Sequence, residues 1–231
     1  MSHTVPETAR TEIKFTAGAA HYHMLLNWLR VHPAGFTSPF PDRRVNNIYF
    51  DTHDWTAFAE NLSGVSSRTK VRYRWYGDSI YPDTGTLEVK KKRNCHGWKL
   101  QFKIGDPPYK PGANWQDIIQ ALLEQLPSEG RSWLKTNPVP VIINRYLRKY
   151  LISGDRKIRV TIDSGLGVWE QRLKAYPNFI HRANMPDISV VEFKFNRGDY
   201  EAASHIIQGI PIRQGRHSKY VSGVRAIAGL Y

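Results

Sequence analysis

Arg68, Lys70, Arg72 and Arg74 alternate with Thr69, Val71, Tyr73 and Trp75. This is the period-two pattern of a β-strand with one charged face and one packing face. The design recurs along the chain. Glu88, Lys90 and Lys92 share a face of a second stretch, and Lys99, Gln101 and Lys103 share a face of a third. Arg10, Glu12 and Lys14 do the same near the N-terminus, as do Glu192, Lys194 and Asn196 near the C-terminus. Guanidinium groups offer planar bidentate forks and ammonium groups offer mobile point charges, so faces of this kind suit an anion with many oxygens. One such strand alone reads better as the solvated face of an antiparallel sheet. The repetition argues for more than that.

The elements that must position these side chains follow from the same periodicity. Strands are expected over 10–15, 44–50, 68–77, 86–92, 98–104, 139–150, 157–163 and 188–196. The pair between 86 and 104 reads as a hairpin around Asn94-Cys95-His96-Gly97. Met24, Leu25, Trp28 and Leu29 recur at helical spacing, and Pro33 with Gly35 ends that pattern. Asn114 caps the clearest amphipathic helix, which carries Trp115, Ile118, Ile119, Leu122, Leu123 and Leu126. Pro127-Ser128 turns it into a second short helix ending near Lys135. Further helices are expected over 55–60 and 199–207 and at the C-terminus, where Arg216, His217, Ser218 and Lys219 stand at the start of the last.

Opposite the charged faces lie Ile13, Phe15, Val71, Tyr73, Trp75, Val89, Phe193 and Phe195, a surface for helices to cover. The expected fold is therefore α+β: an antiparallel sheet curled into a closed barrel with a polar, cation-lined lumen and helices packed outside. A loose leader over 1–8 precedes a single domain over 9–231, with the helical pair as an insertion at about 114–135.

Composition narrows the function. The 231 residues are 41% hydrophobic and carry a net charge of +13, which draws polyanions. No apolar run is long enough for a membrane span, no secretory signal pattern opens the chain, and Cys95 is the single cysteine. A cytoplasmic protein is expected. No Gly-x-x-x-x-Gly-Lys loop occurs, and Gly165-Leu166-Gly167 lacks the third glycine of a dinucleotide fingerprint. His21 and His23 are two apart and do not share a helix face, and no zinc-like spacing appears. Lys91 and Arg93 read as a solvated turn, and Tyr73, Trp75 and Tyr76 as core rather than a base-stacking platform. Nucleic acid is not expected, because it calls for cations on an open face with exposed aromatics.

A lumen lined by many cations and few carboxylates is unstable on its own. Two like charges ~6 Å apart at an effective dielectric of ~20 repel by roughly 3 kcal/mol. A triphosphate reverses that sign, each charge-assisted hydrogen bond contributing ~1.5–3 kcal/mol. The pattern makes sense as a receptor for a phosphate chain.

Arg-Tyr-Arg-Trp-Tyr-Gly at 72–77, Glu88-Val89-Lys90, Asn144-Arg145-Tyr146, Arg159-Val160-Thr161-Ile162-Asp163, Glu192-Phe193-Lys194 and Ser218-Lys219-Tyr220 occur in that order. In this the chain resembles vacuolar transporter chaperone (VTC) domains of the triphosphate tunnel metalloenzyme, or CYTH, superfamily, from about Arg10 to about Gly223. The resemblance implies an eight-stranded antiparallel tunnel that binds ATP and inorganic polyphosphate along its axis. It implies transfer of the γ-phosphoryl group of ATP to a growing polyphosphate chain. Arg72, Arg74, Lys90, Arg145 and Lys219 are then the catalytic residues, with Arg159, Lys194 and Ser218 also on phosphate and Lys14, Lys99 and Arg216 as weaker carry-overs. Glu192, with Glu12 and Glu88, is the implied ligand set for Mn²⁺ or Mg²⁺.

The chain departs from the pattern at two places. The hydrolytic branch of the superfamily carries Glu-x-Glu-x-Lys on its first strand, where this chain has Arg10-x-Glu12-x-Lys14. The change favours a polymerase over a triphosphatase. The eukaryotic catalytic subunits also carry a phosphate-sensing SPX domain and a membrane anchor. Neither is read in this sequence, so a membrane partner protein would have to supply any coupling to translocation. A triphosphatase and a non-catalytic polyphosphate-binding module stay open beside the polymerase.

Overall fold

The computed structural model describes residues 10–229 except Cys95 and Arg216. The expected leader and the Arg216 position lie outside the described residues. In chain order the strands are β1 (Thr11–Gly18), β2 (Arg43–Asp51), β3 (Ser67–Tyr76), β4 (Gly85–Arg93), β5 (His96–Ile104), β6 (Val139–Ile152), β7 (Arg159–Glu170) and β8 (Ile188–Phe195). They form one antiparallel sheet in the order β1-β8-β7-β6-β2-β3-β4-β5, which leaves β1 and β5 as edges. The sheet curls until those edges approach. Arg10 forms an antiparallel bridge with Gly97, and Lys90 on β4 reaches Glu12 on β1 (Nζ–Oε2 3.4 Å). Among the described residues the edges meet through that bridge rather than a continuous ladder, so the sheet is a half-barrel.

Among the described residues six α-helices pack on its two faces: α1 (Tyr22–Val31), α2 (Thr56–Ser63), α3 (Trp115–Gln125), α4 (Ser128–Thr136), α5 (Tyr200–Gln208) and α6 (Lys219–Ile227). Strand alternation decides what they cover. Val71, Tyr73 and Trp75 of β3, with Leu87 and Val89 of β4, bury against Trp115, Ile118 and Leu122 of α3 and Leu134 of α4. Asn114 starts α3 with a capping box: its side chain accepts from the Asp117 amide at 3.0 Å, and Asp117 accepts in return from the Asn114 amide. On the other flank, Phe15, Val191, Phe193 and Phe195 pack on Leu25 and Leu29 of α1 and Ala203 of α5. Tyr73 and Trp75 are core, whereas Tyr76 at the strand end is exposed.

Two expectations need correction. Not every helix packs outside, because α2 and α6 lie against the concave, charged face. There Ala57, Tyr220 and Val224 meet Val45, Tyr49, Ile142 and Tyr146. Helical spacing reveals that a helix has an apolar side but not which sheet face receives it. Here β2 and β6 give one end of the concave face an apolar floor, and β2 is consequently buried on both sides from Val45 to Asp51. The second correction concerns β7, which runs to Glu170 rather than stopping at Asp163. Gly165 takes a left-handed φ of 62° where the pairing with β6 shifts register between Arg145 and Leu147. Gly165 thus forms a bulge within the strand rather than ending it.

Candidate functional site

Cross-strand register assembles the concave face. Arg72 stands opposite Glu88, Lys70 opposite Lys90, and Lys90 in turn opposite Lys99. Buried Glu88 gathers the surrounding cations. Arg72 donates to its Oε2 from Nε at 2.8 Å and Nη2 at 2.6 Å. Lys99 and Gln101 donate to Oε1 at 3.0 and 3.1 Å. Burial pushes the Glu88 carboxyl up, but Arg72, Arg74 and Lys99 outweigh it and hold the group well below the usual carboxylate range. Arg74 is fixed from behind, donating to Asn47 Oδ1 at 2.8 Å and the Tyr146 hydroxyl at 3.1 Å.

A second carboxylate centre lies where β1 meets β8. Lys14 pairs with Glu192 and Glu12 with Lys194 across the ladder. Glu12 lies 2.7 Å from Lys14 Nζ, and Glu192 Oε1 lies 3.1 Å from Lys194 Nζ. Burial opposes both charges, yet Lys90 and Lys14 keep Glu12 ionised, and Lys194 and Lys14 keep Glu192 ionised. Glu192 Oε1 is buried without a hydrogen bond of its own.

The third centre joins the sheet to α6. Arg148 donates to both oxygens of buried Asp163 at 2.6 and 2.7 Å, and Lys219 Nζ lies 2.5 Å from Asp163 Oδ2. Ser218 caps α6 by accepting from the Val221 amide, and Lys70 Nζ donates to the same hydroxyl at 2.9 Å. Next to it, burial and then the charges of Lys219 and Lys14 pull His217 down to about 3, so its imidazole is neutral at physiological pH.

Lys14, Arg72, Arg74, Lys90, Lys99, Lys194, Ser218 and Lys219 thus share the concave side with Glu12, Glu88 and Glu192. Arg159 is exposed and stands beside Lys194 in the register. Arg145 is set apart. It pairs with Asn46 and donates to Asn46 Oδ1 and the Asp78 carbonyl, at 2.7 and 2.6 Å. Asn46 alternates with Asn47, which holds Arg74, so Arg145 faces the opposite side of the sheet. Arg148 occupies the concave position instead. The signal was strand parity: residues 144, 146 and 148 share a face, and choosing Arg145 followed a tripeptide rather than the alternation. Asp163, His217 and Tyr49, whose hydroxyl accepts from Arg72 at 2.9 Å, were also passed over.

Lys90 makes the site sensitive to pH. Glu12 pulls its pKa up, but desolvation and the neighbouring Lys14 and Lys194 outweigh that and bring it down to about 8. A phosphate chain placed alongside would raise it again, and its binding would then take up a proton above that value. Affinity for tripolyphosphate is expected to fall as pH rises past about 8, by up to tenfold per unit. Titration calorimetry on either side of that pH measures it, and a flat profile would remove Lys90 from the binding face.

A curled antiparallel sheet of this kind is the fold of the X-ray structure of an adenylate cyclase candidate from Vibrio parahaemolyticus. The two align with a TM-score of 0.52 at 10% identity, over 91% of this chain and 96% of that one, a likeness of fold alone. The VTC domain model matches residues 9–228, and the chain belongs to the VTC domain family. A relative is subunit 2 of the vacuolar transporter chaperone complex of Saccharomyces cerevisiae. It is 27% identical over 212 residues, covering 77% of this chain and 25% of the yeast protein, so this chain spans about a quarter of that relative's length. Among the described residues no helix is long and apolar enough to cross a membrane.

Proposed function

We propose that the half-barrel encloses a bore for the phosphate chains of ATP and inorganic polyphosphate, and that the domain moves the γ-phosphoryl group of ATP onto the growing chain in the cytoplasm. The observation that carries this reading is Lys70. Burial pulls its pKa well below the usual range, and Lys90, Lys14, Arg68 and Arg72 all push the same way. A structural core has no use for an ammonium group surrounded by four other cations. A polyanion compensates all of them at once.

Phosphoryl transfer asks mainly for in-line positioning and spread positive charge. A terminal oxygen of the chain forms its bond to the γ-phosphorus as the bond to the β-phosphate oxygen of ATP breaks, and ADP leaves with that electron pair. Arg72 and Arg74 are held by Glu88, Tyr49, Asn47 and Tyr146, so their forks are oriented before substrate arrives. Lys14, Lys70, Lys90 and Lys219 supply charge along the path.

For Mn²⁺ or Mg²⁺ the donors are Glu192, whose Oε1 makes no aligned hydrogen bond although Lys194 Nζ stands 3.1 Å away, and neighbouring Glu12. Both stay ionised and fit a hard cation that takes its remaining ligands from phosphate oxygens and water. Such a cation neutralises phosphate charge. Glu88 does not fit, because Arg72, Lys99 and Gln101 occupy its oxygens. Among the described residues no cluster of three His, Cys, Asp or Glu would hold a metal unaided.

Incubation with ATP and Mn²⁺, followed by resolving the phosphate products on a gel, tests the proposal. A ladder is expected, lost in Glu192→Gln with the fold retained. Free phosphate alone would make the protein a triphosphatase, and unchanged ATP despite binding would make it a receptor.

A further inference from the structure

The loop between β7 and β8, residues 171–187, has no part in the phosphate chemistry, and it is firmly built. Buried Gln171 donates from Nε2 to the Asn178 carbonyl at 2.8 Å and accepts from the Asn178 amide at 2.7 Å. Asn178 Oδ1 accepts from the Ile180 amide at 3.0 Å. The Ala175 carbonyl accepts from the Trp115 amide at 2.9 Å, and the Ala183 amide donates to Val168 at 2.8 Å. The Arg172 guanidinium lies 4.1 Å over the Trp55 ring beside α2. Loops of this length without secondary structure of their own are either disordered or functional, and this one is held at both ends and in its middle.

Its scaffold holds apolar side chains out in water. Leu173 and Ile180 are each 84% exposed and Tyr176 is 57% exposed. Exposed Lys174 follows Leu173, and exposed Arg182, whose Nη2 also donates to the Leu166 carbonyl at 2.9 Å, stands two residues after Ile180. The three tips together offer on the order of 400 Å², about half of the ~800 Å² per partner in a standard protein interface. That is too little for a protein partner by itself, but it suits a shallow anchor. Leucine and isoleucine tips enter the acyl boundary, tyrosine sits at headgroup level, and flanking cations meet lipid phosphates. The net charge of +13 brings such a chain to an anionic surface before the tips engage. We infer that the β7–β8 loop is an interfacial anchor that seats this domain on an anionic lipid bilayer.

Co-sedimentation of the full chain with phosphatidylcholine vesicles, and with vesicles containing phosphatidylglycerol, tests the anchor. The wild-type chain is expected to pellet with the anionic vesicles and to stay bound in saturating tripolyphosphate, which fills the concave face. The double variant Leu173→Ser/Ile180→Ser is expected to bind them about tenfold more weakly or worse, because two apolar side chains no longer leave water. Its melting temperature stays that of the wild type, since both tips stand in solvent. Equal binding by the variant, release by tripolyphosphate, or no pelleting at all overturns the anchor. None of these three outcomes bears on phosphoryl transfer, which the gel assay reads separately.

Discussion

Lys70→Met is expected to weaken tripolyphosphate binding by about tenfold to a hundredfold, the worth of one charge-assisted hydrogen bond, while leaving the protein as stable as before or more so. The two effects have opposite signs for one reason. Burial and the charges of Lys90, Lys14, Arg68 and Arg72 depress the pKa of Lys70 in the folded chain, so the folded state binds fewer protons there than the unfolded state does. A depressed lysine destabilises the fold below its unfolded pKa, and that loss is recovered only as pH rises toward the unfolded value. Methionine has a similar unbranched shape without the charge, and replacing buried charge by apolar volume stabilises by up to roughly 2 kcal/mol. Ser218 keeps its bond from the Val221 amide and so continues to cap α6.

The proton bookkeeping distinguishes this from a simple loss of contact. Phosphate beside Lys70 raises its pKa again, so binding draws protons toward that ammonium group as well as toward Lys90, and calorimetry in buffers of different ionisation enthalpy reads the uptake. The variant is expected to take up fewer protons than the wild type. A destabilised variant with unchanged affinity would mean that Lys70 serves the fold and that the concave face is not the phosphate site.

Much of this architecture was legible in the sequence because strands print their faces at period two. Parity puts Arg72 with Arg74 on one face of β3 and Glu88 with Lys90 on one face of β4, and β4 and β5 pair as the hairpin pattern requires. Parity also marked Arg148, and following it through β6 would have excluded Arg145. What the residues do not print is long-range geometry. Whether Glu12 meets Lys90 depends on how far the sheet curls, which is set by twist accumulated over strands distant in sequence. The seat of α6 is equally hidden. It depends on Gly223, where an added Cβ would come 2.6 Å from Ile142 Cδ1, and on the Tyr220 hydroxyl reaching Asp51 at 2.5 Å. Glu88 looked like a metal ligand because a carboxylate among lysines has two possible uses. Only the coordinates of Arg72, Lys99 and Gln101 decide between them.

Asp163→Asn is expected to be the most damaging single substitution in the site, at about 3–5 kcal/mol. Asp163 is almost wholly buried and neutralises two side chains that are nearly as enclosed, Arg148 and Lys219. Both also lie over the Tyr146 ring, at 5.4 and 4.7 Å from its centre. Burial pushes the Asp163 carboxyl up, but Lys219 and then Arg148 overcome it and hold the group far below its ordinary value. Its contribution is therefore complete above the unfolded carboxylate pKa of about 4 and is lost only as pH falls through the lower folded value. Asparagine keeps the shape and its one oxygen accepts at most two of the three bonds, but it leaves two cations facing each other without a counter-charge. Urea unfolding at neutral pH should show the full deficit. In strong acid the gap between wild type and variant should narrow, because the wild-type carboxylate is then neutral too. Lys219 is the first residue of α6, so loosening it also frees the helix that covers the concave face, and the variant should lose polyphosphate binding even where it remains folded. Equal stability of the two proteins at neutral pH would show that Arg148 and Lys219 find other partners, and that α6 is held by its apolar contacts with Ile142 and Val168 and by the Tyr220–Asp51 hydrogen bond.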